Sequence, residues 1–252
     1  MNISVAIASC NGENYISEQL DSIISVLKEG DEIIISDQFS SDSTPNILKD
    51  YCEKFNFIKV VEPEPVTISN DPKNSIKISL NFKNAILHCS NEIIVLCDQD
   101  DVWFSNRLEL VRNAHEKYDC VVINAQICEL DNEVSSNIYD LLLPKTRFVS
   151  NFLKFRVLGC QLSFRADFIF KYVDVPMHKD MTHDWWWFLH ANLFGKIYIE
   201  NQVGFKYRRH ISNNSGGLKP SPNSFQKKIW LRVVLLGFLL KSIIKRHKAK
   251  KL

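Results

Sequence analysis

No Asp or Glu follows Glu200. The chain has 252 residues with 31 Lys and Arg against 29 Asp and Glu, but 13 of the basic residues fall between Asn201 and Leu252. The first 200 residues therefore carry 18 basic against 29 acidic side chains. An acidic body argues against a nucleic-acid-binding surface, which draws its affinity from neutralising phosphates. The basic end instead matches an anionic surface, with phospholipid the leading candidate. Glycine and proline are scarce, eight of each, which excludes the collagenous and low-complexity classes. The seven Cys (10, 52, 89, 97, 120, 128 and 160) form no CxxC pair, and several sit in apolar runs. Their odd number and scatter exclude a disulfide framework and predict reduced thiols in a cytosolic compartment. No positively charged leader precedes the strand-like Ile3 to Ala8, so export is not expected.

Strand and helix patterns alternate through the first half. Ile3 to Ser9 reads as a buried strand, followed by a helix over about Glu13 to Leu27. A strand at Glu32 to Ser36, a helix at Thr44 to Phe55 and a strand at Phe57 to Val61 come next. A helix over Ile76 to His88 leads to the most apolar strand, Glu92 to Cys97. This order is that of βαβ units in an α/β fold with a mostly parallel sheet. Ligands of such sheets bind at the carboxyl ends of the strands, here after Ser9, Ser36 and Cys97. The second half is less regular: strands at Cys120 to Asn124 and Gly159 to Arg165, a helix at His183 to Phe194, and extended segments at Lys196 to Glu200 and Val203 to Arg208. Ser212 to Ser224, rich in Asn, Ser, Gly and Pro, reads as a linker. It divides a body, residues 1–216, from a tail, residues 217–252.

The tail is apolar nearly all round from Ile229 to Leu240, with Lys227 and Lys228 before it and Lys245, Arg246, Lys248, Lys250 and Lys251 after it. It falls short of the roughly 20 apolar residues that span a bilayer. An apolar helix with basic flanks suits contact with a membrane surface; docking on the body or on a second subunit is the alternative.

Chemistry concentrates in Leu96-Cys97-Asp98-Gln99-Asp100-Asp101-Val102-Trp103. Three carboxylates at the end of a buried strand repel one another unless a cation or donor groups compensate. A divalent metal with oxygen ligands would do so, and a nucleotide diphosphate would supply it with further oxygens. The plainer alternative makes Asp101 the N-cap of a helix starting near Ser105.

These residues, together with Ala8 to Ile16, Glu18 to Ile23, Asn81-Phe82, Gly159-Cys160-Gln161, His183-Asp184-Trp185-Trp186 and Tyr207-Arg208-Arg209-His210, resemble the inverting family 2 glycosyltransferases, in particular their bacterial rhamnosyltransferase-like branch. The likeness covers roughly Ile3 to Gly216. It implies the GT-A (nucleotide-diphospho-sugar transferase) fold, a Rossmann-like sheet sandwiched by helices. By the same resemblance, Asp98 and Asp100 match the DxD motif, Asp100 as main Mn²⁺ or Mg²⁺ ligand and Asp98 nearer the donor ribose. The loop around Ser9, Asn11 and Glu13 lines the nucleoside pocket, together with Asp37 and Gln38. Gly159 and Cys160 floor the sugar and acceptor site. Asp184 is the base that takes the acceptor hydroxyl proton, although read alone it could be a helix N-terminal acid. Trp185, Trp186 and Trp187 cannot share one helix face; an exposed one would make a platform for a sugar ring. Arg208, Arg209 and His210 are candidates for the diphosphate, and His210 also for the metal. The motif Ser36-Asp37-Gln38-Phe39-Ser40 departs from the family's two adjacent Asp and Gly, which leaves the nucleobase open.

The function implied is transfer of a sugar from a nucleotide-sugar donor, dTDP-rhamnose or a UDP-hexose, to a glycan or lipid-linked acceptor of bacterial surface polysaccharide, at the inner face of the cell membrane. No nucleic acid is expected. The alternative is a degenerate relative that binds nucleotide or glycan, or scaffolds a membrane assembly, without catalysis. A nucleotidyltransferase would need a basic glycine-rich loop after the first strand, and Cys10-Asn11-Gly12-Glu13 has no Lys or Arg.

Overall fold

The computed structural model describes residues 1–63, 75–129, 134–178, 180–210 and 223–249. Nine strands among these residues form one sheet: β1 (Ile3–Ser9), β2 (Glu32–Asp37), β3 (Ile58–Val61), β4 (Ile93–Asp98), β5 (Val102–Trp103), β6 (Cys120–Cys128), β7 (Val134–Asn137), β8 (Leu162–Arg165) and β9 (Ile197–Arg208). The helices are α1 (Ile16–Ile24), α2 (Thr44–Lys54), α3 (Ser75–Leu87), α4 (Arg107–His115), α5 (Ile138–Leu142), α6 (Phe148–Leu153), α7 (Ala166–Ile169), α8 (His183–Phe194) and α9 (Phe225–Ala249). A 3-10 turn, Gly159–Gln161, runs directly into β8.

The sheet order is β3-β2-β1-β4-β8-β6-β9-β5, with β7 on β6. From β3 to β4 every pairing is parallel. β1, β2 and β4 are rich in Ile, Val, Ala and Leu, nearly all of them fully buried, as befits strands covered on both faces. The chain fills positions on one side of β1 first (β2, β3) and then crosses to the other (β4). That reversal opens a crevice at the carboxyl ends of β1 and β4, where open α/β sheets bind ligands. Beyond β4 the pattern changes. β8 enters antiparallel between β4 and β6, and β9 runs parallel to β6.

Two features of the second half carry the site. After Asp98 the chain makes a three-residue loop and adds β5 antiparallel to β9, pairing Trp103 with Phe205. The two extended segments anticipated around residue 200 are one strand, β9, which slips register against β6 near Asn124 and then runs on to Arg208. Its far end thereby returns to the loop after β4.

The apolar tail is helical, as anticipated, and docks on the body. Leu231, Leu235 and Leu239 are buried, the Ser242 hydroxyl meets His190 Nε2 at 3.1 Å, and Arg232 donates to the Leu153 carbonyl at 2.8 Å. No helix among the described residues is long and apolar enough to cross a membrane. The 216/217 boundary, most of the linker, and Lys250 and Lys251 lie outside the described residues.

Candidate active site

At the carboxyl ends of β1 and β2 the polar residues fix one another. Asp37 Oδ1 accepts from the hydroxyls of Ser9 at 2.6 Å and Ser40 at 2.7 Å. Ser40 Oγ accepts the Asn11 amide at 2.7 Å, and Asn11 Oδ1 accepts the Ser41 amide at 2.8 Å. Glu13 accepts from the Ser43 amide at 2.9 Å, while its own amide donates to Asp42. The two βα loops are thus joined before any ligand arrives. Gln38 is held by its backbone, donating to the Ser9 carbonyl at 2.8 Å. Phe39 follows with φ of +52° and its ring 66% exposed, a left-handed conformation that glycine adopts freely and a phenylalanine does not.

Gln99 joins this end to the acid loop. Its side-chain oxygen accepts the Cys10 amide at 2.7 Å and its amide nitrogen donates to the Cys10 carbonyl at 3.1 Å. A Cβ on Gly12 would sit 2.6 Å from Gln99 Oε1, so the clamp needs glycine there.

The acids divide into two groups. Asp100 turns toward the end of β9: its Oδ2 lies 2.8 Å from His210 Nε2, and the His210 ring stacks on Tyr15 at 4.5 Å. Asp98 and Asp101 turn inward, and with the Cys160 sulfur their ligand atoms lie within 4.8 Å of one another. Asp101 is not a helix cap: α4 begins at Arg107 behind Asn106, and neither oxygen of Asp101, buried, meets a hydrogen-bond partner by geometry among the described residues, with the Cys160 thiol beside it. Burial raises its pKa well above the ordinary carboxylate range, and the charges of Asp100 and Asp98 add to the rise. Asp98 is pushed up to about 7, by burial first and then by Asp100 and Asp184. Burial also raises the Cys160 thiol, keeping it neutral.

Arg107 is the cation that faces this inner group. It is 1% exposed, its guanidinium lies 4.2 Å from the Trp103 ring centre and 4.1 Å from that of Phe205, and Nη2 donates to the Cys160 carbonyl at 2.6 Å. Its charge opposes the rise at Asp98 and Asp101. Sequence reading passed over it because a basic residue at a helix start looks like a solvated one.

Crowded carboxylates, two of them with raised pKa values, and an orphaned buried carboxylate fit a divalent cation, which would favour the ionised forms. Asp100 and His210 offer an oxygen and a nitrogen at one point, a donor set Mn²⁺ accepts more readily than the all-oxygen preference of Mg²⁺.

The third part is the start of α8. Asp184, 8% exposed, sits in its first turn and accepts the Trp185 amide at 2.7 Å. The residue before it, His183, is a buried histidine that burial keeps neutral. Its ring packs on Phe82 at 4.5 Å, and a Cβ on Gly159 would lie 2.6 Å from its Nε2. The small residue expected to admit a ligand therefore admits His183. Cys160 is fully buried, with its carbonyl on Arg107.

Two sets of candidate residues are already engaged by their neighbours. Trp185, Trp186 and Trp187 are 8%, 1% and 2% exposed, so none presents an open platform to a sugar: Trp186 packs on His190 and Phe238, and Trp185 lies under Arg232. α8 is covered on every side, which is why no single apolar stripe distinguishes a free Trp in the sequence. Arg208 and Arg209 reach carboxylates rather than open space: Arg208 binds Glu18 at 2.7 Å and lies over the Tyr15 ring, and Arg209 binds Glu129 at 3.2 Å.

A parallel β3-β2-β1-β4 block, an acid loop at the β1/β4 crevice and a carboxylate opposite define a mixed α/β glycosyltransferase of the GT-A fold. The chain belongs to the family described as Glycosyl transferase family 2, whose profile matches residues 4–172. It is similar to the dTDP-rhamnosyl transferase RfbG of Shigella flexneri, 26% identical over 222 residues that make up 83% of this chain and 73% of that protein. Among solved structures it resembles residues 1–349 of S. aureus TarS in complex with UDP-GlcNAc, with a TM-score of 0.62 at 18% identity, covering 93% of this chain and 66% of that one. It also resembles glucosyl-3-phosphoglycerate synthase from Mycobacterium tuberculosis in complex with Mn²⁺, uridine diphosphate and glucosyl-3-phosphoglycerate, with a TM-score of 0.55 at 14% identity, covering 96% of this chain and 79% of that one. The chain thus spans 73% of the rhamnosyl transferase and 79% of the synthase, but 66% of the TarS fragment and 39% of TarS itself.

Proposed function

We propose that the chain is an inverting transferase that moves a hexose or deoxyhexose from a pyrimidine nucleotide diphosphate, dTDP-rhamnose or a UDP-hexose, to a glycan or lipid-linked acceptor of a bacterial surface polysaccharide. The observation that carries this reading is the convergence of three distant segments: Asp98 and Asp100 after β4, His210 after β9, and Asp184, whose charge is felt at Asp98. The likeness to a dTDP-rhamnosyl transferase favours a pyrimidine donor.

The roles follow from position. Ser9, Asn11, Glu13, Asp37 and Gln38 form the rigid nucleoside end. Asp100 and His210, with Asp98, would hold Mn²⁺ or Mg²⁺, which when bound supplies positive charge to the diphosphate as it leaves. Arg208 and Arg209 exchange their carboxylate partners for diphosphate oxygens. Asp184 takes the proton of the acceptor hydroxyl as its oxygen attacks the anomeric carbon opposite the breaking bond. The active site faces the inner side of the cell membrane, where a lipid-linked acceptor resides.

Calorimetric titration of nucleotide diphosphates and nucleotide sugars, with Mn²⁺, with Mg²⁺ and with chelator, tests the donor half. Tight binding of one pyrimidine nucleotide that disappears with chelator is the expected result. Absence of binding by every member of the panel would replace this reading with a non-catalytic relative whose altered Gln38-Phe39 segment no longer takes a base.

A further inference from the structure

α9 meets the body by one face only, and its other face is also apolar. Phe225, Ile229, Val233, Leu236, Leu240 and Ile244 are between 48% and 77% exposed. Their spacing of four, four, three, four and four residues puts them on one stripe about 29 Å long. Leu231, Leu235 and Leu239, the buried contacts, lie on the opposite side of the helix. α6, which touches α9, also carries exposed apolar side chains. Val149 and Leu153, one turn apart, are 65% and 60% exposed, and the Leu153 carbonyl is the one that Arg232 of α9 holds at 2.8 Å. Large apolar side chains on two touching elements, facing solvent together, mark an association surface rather than stray surface residues.

The charge around this surface has one sign. Lys227 and Lys241 are exposed on α9, and Lys145, Arg147 and Lys154 are exposed around α6. No Asp or Glu occurs between Leu141 and Ala166, nor anywhere after Glu200. Pairing this face with its counterpart on a second copy would set like charges against each other. An anionic phospholipid surface is complementary to both the apolar stripe and its basic surround.

We propose that α6 and α9 together form a docking face for an anionic bilayer, on which α9 lies in the plane of the interface with its stripe turned into the lipid. The face adjoins the acceptor end of the cleft. The Trp185 indole N–H donates to the Asn151 carbonyl of α6 at 2.8 Å, and its ring lies under Arg232 of α9; Trp185 is the neighbour of Asp184. Docking would therefore bring the base of the reaction close to the lipid headgroups. This deepens the proposed function, since it rests on that reading for the lipid-linked acceptor.

The test is flotation of the full chain with vesicles of phosphatidylglycerol and phosphatidylcholine in equal parts, and with vesicles of phosphatidylcholine alone. The expected result is about tenfold more chain floating with the anionic vesicles, lost progressively as salt is raised. The double variant Val233→Asp with Leu236→Asp should cut that fraction about tenfold, and so should Val149→Asp with Leu153→Asp. All four positions are exposed, so unchanged thermal melting is expected and serves as the folding control. Equal flotation with both lipids, or full binding by the α6 variant, overturns the two-element face. So does a solution dimer that the α9 variant makes monomeric, because a second copy would then be the occupant. Donor titration on the same preparations separates the two proposals. Donor binding without flotation removes only the docking face, and flotation without donor binding removes only the transferase reading.

Discussion

Around β1 and β2 the site residues hold one another through hydrogen bonds, whereas around α8 they are held by rings packed against rings. Asp37, Ser9, Ser40, Asn11 and Ser41 form a continuous polar chain. Asp184 stands instead on a helix whose neighbours His183, Trp186, Trp187 and His190 are buried and packed, in tilted and edge-on contacts, among one another and Phe82, Tyr172 and Phe238. Directional bonds fix a shape that a nucleoside can meet without rearrangement of the loops. Packing fixes Asp184 by volume and leaves it 8% exposed, which suits the proposed proton acceptor more than a binding pocket. Between the two regions lies the strip where polar groups lack partners: Asp101, Arg107 Nε and Nη1, and His183 Nε2.

The largest effect expected separates the two regions outright. Asp184→Asn should lower the transfer rate by about 10²- to 10⁴-fold while leaving calorimetric donor binding intact; a parallel loss of binding would mean that the two ends are not independent. Next comes the strip between them. Arg107→Met leaves the inner carboxylates without their buried cation, and a loss of about 3–5 kcal/mol in denaturant unfolding is expected. Arg107→Lys should recover part of it, since charge returns but the planar stack between Trp103 and Phe205 does not.

Acid should loosen the packed region. His190 has its pKa lowered to about 4 by burial, from an ordinary value near 6.5. As pH falls below about 6.5 the unfolded chain takes up this proton and the folded chain does not. The contribution of this group to stability is therefore level above pH 6.5 and falls between there and pH 4, by at most about 1.4 kcal/mol per pH unit, while the raised carboxyls of Asp98 and Asp101 act with the opposite sign over the same range. The difference in urea midpoint between the native chain and His190→Gln, followed against pH, should show the His190 slope. His115, lowered to about 4 by burial and hydrogen-bonded to Ser163, contributes with the same sign.

Gln99→Ala removes the clamp on Cys10, and a cost of about 1–2 kcal/mol in stability with weaker donor binding is expected, measured by melting and calorimetry. The smallest effect sharpens the hydrogen-bonded side: Phe39→Gly should stabilise by about 1 kcal/mol by relieving its positive φ. Its donor titration reports whether the exposed ring contributes to the base pocket.

The parallel block was legible because β1, β2 and β4 are mostly apolar runs with polar carboxyl ends, and the crevice follows from their order. Asp98 to Asp101 stood out for the same reason: acids directly after a buried strand have few alternative uses. What was not legible depends on contacts distant in sequence. The contact of His210 with Asp100, 110 residues away, came only through the family resemblance, and Arg107 is buried because Trp103 and Phe205, on paired strands, close over it. The antiparallel entry of β8 rests on four residues, Leu162–Arg165, too few to show a direction. β9 read as two segments because exposed Asn201 and Gln202 interrupt its apolar pattern.

That interruption makes the length of β9 a fixed quantity. Opposite Ile123 stands Glu200, but opposite Asn124 stands Val203 and opposite Ala125 stands Phe205, so the strand carries surplus residues at this point. Because side chains alternate between faces, removing a single residue there would turn over every position that follows. Phe205 would leave Arg107, and His210 would be drawn back from Asp100. The stretch Asn201 to Val203, though exposed in part and outwardly like a tolerant loop, should accept changes of residue far more readily than changes of length, whereas a Cβ on Gly204 would lie 2.8 Å from Ile123.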